Sequence, residues 1–488
     1  MKNSKHFGWF VLAGSALGVF ALGMLASSIT ERRSERAISR VQFMQPISKF
    51  ESDNAVWGAS FPREYNSWQA TKQDKTLTKF GGSGFRDYLA ENPNLVVMWA
   101  GYAFAKEYNA PRGHFHATDD VKNTDRRTAA TPATCWTCKS PDVPRLMDRD
   151  GTAEFYAHKF DRYLTEIDNP IGCADCHNNE TMALQISRPA LKEAFQRMGK
   201  DIHQATHQEM RSLVCAQCHV EYYFKGKQAN YLTFPWDDGM QIEDMEKYYD
   251  RTGHVDWVHA ISGAEMIKMQ HPDYELYSKG IHAYRGVSCA DCHMPYKSEG
   301  GIKYTDHQVR SPLENIANSC QVCHRWSESE IRTRVEGIQT NNRQMLDAVE
   351  DAVTRLHLEI GDAVRLGASK EELAFARDRV RRAQMYWDYV AAANGMGFHA
   401  PQEAARILVK ALNFASEGRL AIQKVRARKG ALDPIRMPDI STKELAQAFI
   451  KPFVDAQKAP APTPAKTAAS NPSMLRASHA MAQATRVR

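Results

Sequence analysis

Cys135-Trp136-Thr137-Cys138-Lys139 is a pair of cysteines two residues apart with a lysine directly behind it. Four further pairs have the same spacing but are followed by histidine: Cys173-Ala174-Asp175-Cys176-His177, Cys215-Ala216-Gln217-Cys218-His219, Cys289-Ala290-Asp291-Cys292-His293 and Cys320-Gln321-Val322-Cys323-His324. Together they use all ten cysteines of the chain. Cys-x-x-Cys-His is the signature of covalent haem attachment, in which two thiols form thioethers to the porphyrin and the adjacent histidine ligates the iron. Five haem c groups are implied, and with them a mainly α, multihaem cytochrome c fold with a haem-packed core.

Paired cysteines near histidine also build zinc sites, but those place the second pair of ligands some residues away, and here histidine follows the second cysteine at once, four times over. Disulfides between cysteines three apart have poor geometry. A thioredoxin-like motif explains neither five copies nor the trailing histidines.

The lysine separates one site from the other four. A free lysine is protonated at neutral pH, with a pKa of about 10.4, and must lose that proton to donate its lone pair. An iron centre removes it as other metals depress the pKa of their ligands, so Lys139 is a competent proximal ligand. Lysine has no second ring nitrogen to be tuned from outside. An iron that only passes electrons is best held by two strong ligands, whereas one that meets a substrate keeps a position open. The lysine haem is therefore the candidate catalytic centre, and the other four are candidate wires.

Around these motifs the chain divides into four stretches. Residues 1–30 carry Lys2 and Lys5 and then an uncharged apolar run from Phe7 to Ile29. That is an export signal or, since a helix rising about 1.5 Å per residue over this run nearly crosses a roughly 30 Å bilayer core, a membrane anchor. Residues 31–325 form the haem-bearing body. Residues 326–430 read as long helices: apolar positions at helical spacing follow Ser327, Ser369-x-x-Glu372 is a capping box for a helix running to Asn394-Gly395, and Pro401 stands at the first position of a third ending near Gly430. These cover the haem core or meet a second copy of the chain. Residues 431–488 are an extension, Pro/Ala-rich and disordered after about residue 457. The net charge of +6 is concentrated at the two ends, and with no nucleic-acid-binding motif beside it, nucleic acid is excluded as a partner.

One lysine motif followed by four histidine motifs resembles the ammonia-forming pentahaem cytochrome c nitrite reductases, the cytochrome c-552 family, over roughly residues 50 to 430. The resemblance implies distal ligands residue by residue. His114 would face the haem of Cys215 and Cys218, with His116 its nearest competitor. His307 would face that of Cys173 and Cys176, His282 that of Cys320 and Cys323, and His399 that of Cys289 and Cys292. It also implies a catalytic trio over the open iron face: Tyr222, His271 and Arg126, with Arg127 in reserve for the last. A Ca²⁺ beside them would take side-chain oxygens of Glu221 and Gln270 and the backbone carbonyls of Tyr222 and Lys268, hard oxygen donors that suit this ion.

The function so implied is six-electron reduction of nitrite to ammonium in the periplasm. The electron donor would be a membrane tetrahaem quinol dehydrogenase or a soluble multihaem cytochrome, and the chain would be a homodimer joined through its C-terminal helices. Two other classes fit the motif count: a multihaem carrier with no substrate of its own, and an enzyme directed at hydroxylamine or sulfite. A carrier needs no vacant iron. Hydroxylamine-oxidising relatives typically carry more haems and a tyrosine cross-link.

Overall fold

The computed structural model describes residues 4–38 and 43–458, with side chains in the first segment described over 7–31. The tail expected to be disordered after about residue 457 lies, from 459 onward, outside the described residues.

An N-terminal helix spans Ser4–Ile38, and its stretch Phe7–Glu31, of mean hydropathy 2.0, is long and apolar enough to cross a membrane. None of that stretch is buried against the rest of the chain.

From Asn54 to Ser319 the backbone is a series of short helices, the longest being Ile242–Thr252 with 11 residues. Strands are as scarce as the sequence suggests. Three antiparallel hairpins pair Tyr223–Lys225 with Tyr231–Thr233, Trp257–Val258 with Glu265–Met266, and Tyr296–Glu299 with Ile302–Thr305. The last turns through Gly300 and Gly301 at φ 58° and 80°, the left-handed pair that a two-residue hairpin loop requires. These elements surround one continuous cavity of about 2420 Å³ lined by all ten cysteines. A pocket for one small ligand measures about 300–1,000 Å³. The short elements thus enclose a space sized for several large prosthetic groups.

Beyond the last motif come Glu328–Arg365, Lys370–Ala392 and Pro401–Arg428. Their starts follow the sequence reading: Ser327 and Ser369 accept from the N–H groups of Glu330 and Glu372 in capping boxes, and Pro401 occupies the first turn. The three pack on one another, closely enough at Gly418 that a Cβ there would lie 2.6 Å from Leu356. Within the expected extension a further helix, Lys443–Lys458, buries Ala446 and Ile450. It returns to the body, where Lys443 pairs with Asp87 at 2.6 Å and Gln447 donates to the carbonyls of Ala105 and Lys106.

Candidate haem and substrate site

The five residues expected as proximal ligands, Lys139, His177, His219, His293 and His324, line the cavity together with His114, His282, His307 and His399. Two imidazoles that bind one metal from opposite sides, at about 2.0 Å per nitrogen, have ring centres roughly 6 Å apart. His177 and His307 are 6.2 Å apart, His293 and His399 6.3 Å, and His282 and His324 6.3 Å. Nδ1 of His399 is buried without a hydrogen-bond partner. Burial pushes the His177 and His293 imidazoles down to about 4, so they stay neutral, the form that donates a lone pair to iron. Ring spacing and protonation state both fit haem iron between these pairs.

The fourth pair is more crowded. His114 and His271 are both held near His219 and Lys139, and the ring that lies 6.2 Å from His219 is that of His271. His219 itself is turned by Asp273, whose Oδ2 is 2.8 Å from its Nδ1. Burial opposes a charge on this ring, but Asp273 outweighs it and holds its pKa above the ordinary value.

Next to Lys139, Tyr222 and His271 stand with ring centres 5.5 Å apart. Burial, then the nearness of Cys138 and Cys135, pushes the Tyr222 hydroxyl far above its usual range, so it keeps its proton. Burial, then the nearness of His219 and Lys139, pushes His271 down to about 3, and its Nδ1 is buried with no partner among the described residues. Arg126 lays its guanidinium on the face of Phe104 at 4.4 Å and donates through Nε to Thr124 Oγ1. No ion pair engages it among the described residues, whereas Arg127 is drawn 3.7 Å from Asp161 and over Phe160.

Behind this pocket Glu221, Gln270 and Lys268 converge. Glu221 Oε2 accepts from the Gln270 N–H at 2.6 Å, its Oε1 accepts from the Tyr249 hydroxyl at 2.7 Å, and the Gln270 amide lies 3.2 Å from the Lys268 carbonyl. The Glu221 carboxyl is fully buried, and burial, with Glu275 and Asp256 adding to it, pushes its pKa far up. Such a carboxylate calls for a cation. No three His, Cys, Asp or Glu side chains form a metal cage among the described residues. One carboxylate, an amide and backbone carbonyls make a donor set of another kind, of the hard oxygens Ca²⁺ prefers.

Several residues here escaped the sequence reading. Lys268 was read for its carbonyl alone, yet its buried ammonium is 2.9 Å from both oxygens of Asp388 and lies over the rings of Trp99, Phe104 and Tyr108. Asp388 also accepts from the Met269 N–H at 2.7 Å, so the 370–392 helix holds the strand of chain that leads into His271. The signal available was Gln384 and Asp388, two polar residues four apart on a buried helix face. Asp273, the partner of His219, carried no signal, because its role depends on a fold that brings residues 54 apart into contact.

A cavity of this size lined by paired thiols with a proximal nitrogen behind each pair defines a multihaem c-type cytochrome. The model of the cytochrome c552 family matches residues 53–478. Cytochrome c-552 of Porphyromonas gingivalis is 49% identical over 463 residues, covering 92% of this chain and 93% of that protein. Cytochrome c-552 of Bacteroides fragilis is 50% identical over 456 residues, with 92% of each covered. Among solved structures, the cytochrome c nitrite reductase of Desulfovibrio desulfuricans, described with two calcium sites in its catalytic subunit, matches with a TM-score of 0.76 at 34% identity, covering 80% of this chain and 92% of that one. The chain belongs to the cytochrome c552 family, and its cysteines carry covalently bound haem c.

Proposed function

We propose that this protein reduces nitrite to ammonium at the haem of Cys135, Cys138 and Lys139, fed by four haems with two histidine ligands each. The observation that carries the reading is the neighbourhood of Lys139: a protonated Tyr222, a neutral buried His271 and an Arg126 with no carboxylate partner among the described residues face one cavity beside the one motif that lacks a histidine. When bound there, a haem would supply an iron for the substrate and a route for electrons to it. Arg126 is the cation for the nitrite anion, its guanidinium kept free by stacking on Phe104 instead of pairing with a carboxylate. His271 and Tyr222 hold hydrogen-bonding groups at the developing charge and pass protons as the two N–O bonds break. The overall change takes six electrons and eight protons per nitrite and yields ammonium and two waters. Four further haems would supply those electrons to one site, where Arg126, Tyr222 and His271 keep the partly reduced nitrogen in place.

Four haem irons would be held by His177 with His307, His219 with His114, His293 with His399 and His324 with His282. By ring spacing alone His271, 6.2 Å from His219, would also fit that iron; the family register assigns His114 there and leaves His271 for the lysine haem, where it stands 5.5 Å from Tyr222. Ca²⁺ would be held by Glu221, Gln270 and the carbonyls of Tyr222 and Lys268, neutralising the buried Glu221 and fixing the loops of Tyr222 and His271. The apolar N-terminal helix supports export to the periplasm, as a signal or an anchor, and donation from a membrane tetrahaem quinol dehydrogenase or a soluble multihaem cytochrome. Val409, Leu412 and Leu420, exposed along one face of the 401–428 helix, support a homodimer formed there.

The test is ammonium formation from nitrite by the haem-loaded protein with reduced viologen as donor. Haems that oxidise and reduce with no nitrite consumed would leave a carrier, and product from hydroxylamine or sulfite alone would redirect the site to those substrates.

A further inference from the structure

Three of the four proximal histidines have their outer ring nitrogen fixed: His177 Nδ1 lies 2.8 Å from the Met182 carbonyl, His219 Nδ1 2.8 Å from Asp273, and His293 Nδ1 2.9 Å from the Arg310 carbonyl. Such outer partners orient a ligand and set its basicity. Lys139 has no second ring nitrogen for such a partner to hold. The backbone that carries it fixes where its side chain starts.

That backbone is gripped from one side by Arg188. The arginine is buried, with 2% of its side chain exposed, and donates through Nε to the Thr137 carbonyl at 2.6 Å and through Nη2 to the Ser140 carbonyl at 2.7 Å. These carbonyls lie on either side of Cys138-Lys139. Nη2 also meets the carboxylate of Asp175, and Nη1 donates to Ser187 Oγ at 2.8 Å. Asp175 is the third residue of Cys173-Ala174-Asp175-Cys176. Gln217, the third residue of Cys215-Ala216-Gln217-Cys218, accepts from the N–H groups of Ser187 and Arg188 at 2.6 and 2.9 Å and donates to the Asp175 carbonyl at 3.1 Å. Two histidine motifs thus hold, through their intervening residues, the arginine that holds the lysine motif.

Only a guanidinium serves here, because a planar fork of donors reaches two carbonyls and a carboxylate at once, and an ammonium is a point charge. The other Cys-Ala-Asp-Cys motif offers an internal comparison. Asp291 pairs with Arg211 at 2.9 Å, but the other hydrogen bond of that arginine goes to Ser288, the residue just before the same motif, at 3.3 Å. Arg211 braces a histidine site that already has its own outer partner.

We propose that Arg188 is a positioning residue for Lys139: it fixes the turn that aims the lysine amine, doing through the backbone what the outer ring nitrogen does for the histidines. The proposal rests on the reading of Lys139 as an iron ligand.

Cyanide binding to the oxidised holoprotein, followed by absorbance, tests both levels, because cyanide enters the open position opposite Lys139 and its affinity reports how that ligand is held. In Arg188→Lys the haem content per chain stays at the parent value while cyanide binds about 10-fold more weakly or worse, within the roughly 10–100-fold range for losing an outer partner. Arg188→Gln shows at least as large a loss, and Arg211→Lys binds cyanide like the parent. Parent-like affinity in Arg188→Lys overturns the proposal, as does an equal loss in Arg211→Lys. Loss of haem from all motifs in both Arg188 variants overturns it too, because the arginine then serves the fold at large. Lys139→His separates the two levels: if it leaves cyanide affinity unchanged the ligand reading itself fails, and if it alters affinity while Arg188→Lys does not, only the positioning role fails.

Discussion

Between residues 54 and 319 no helix exceeds 11 residues, and the elements face a cavity of about 2420 Å³. From 328 to 428 three helices of 38, 23 and 28 residues pack directly on one another through Leu346, Val353, Leu356, Val380 and Ile407. The helical slab stabilises itself in the ordinary way, by burying an apolar face of each helix. The body also has a side-chain core, with Val96, Trp99, Trp136, Phe155, Phe160 and Trp236 buried beside the cavity that prosthetic groups would fill. Its segments are tied in addition by buried charges, Arg188 with Asp175 and Lys268 with Asp388, whose placement is specific where apolar contact is not. The lesson is a division of labour: periodic packing makes a platform, and buried polar bonds aim the residues around the irons.

The two regions meet at Asp388, which belongs to the slab and holds the chain leading into His271. Asp388→Ala leaves the Lys268 ammonium buried and uncompensated, and is expected to destabilise the protein by about 3–5 kcal/mol, read from the denaturant midpoint. A smaller loss confined to the slab would mean the two regions are less coupled than the contacts indicate. Within the pocket, Arg126→Ala is expected to lower kcat for nitrite by about 10²–10³, or roughly 2.7–4 kcal/mol, as for loss of a charge-stabilising donor. Arg127→Ala should change it little, because that guanidinium is turned to Asp161. Ammonium assays on the pair decide which arginine faces the substrate.

Body and slab also meet at a buried pair of histidines, one from each. His259 and His357 stack with ring centres 3.7 Å apart and are fully buried, which pushes His259 well below its ordinary range and His357 to about 4. Neither binds a proton in the folded protein at pH 5, whereas the unfolded chain, with an ordinary value of about 6.5, does. Stability is therefore unaffected above that value and is lost as the pH falls below it, by about 2 kcal/mol per histidine at pH 5. Denaturation at pH 7 and 5 should show a smaller difference for His357→Gln than for the parent. The smallest effect is at a helix end: Ser369→Ala removes a cap from the 370–392 helix, costing about 1 kcal/mol and leaving the KM for nitrite unchanged.

How far the sequence could be read follows the same division. The slab was legible almost to the residue, since Ser327, Ser369 and Pro401 act locally on the backbone beside them. The Lys443–Lys458 helix was not: only Ala446 and Ile450 are buried, and Pro452 lies inside it. In the body the paired thiols that line the cavity were legible because haem attachment is written within five residues. The residues that aim them were not, because Arg188 reaches across 51 positions to Thr137 and Lys268 across 120 to Asp388. Such pairs exist only once the chain has folded.

The central claim is that substrate meets the chain at Lys139 and not at the four histidine sites. Nitrite turnover of Lys139→His beside the parent, at equal haem content and with the same reduced viologen, tests it most directly. The account predicts that haem attachment is retained while ammonium formation falls sharply; parent-like kinetics in the variant would contradict it.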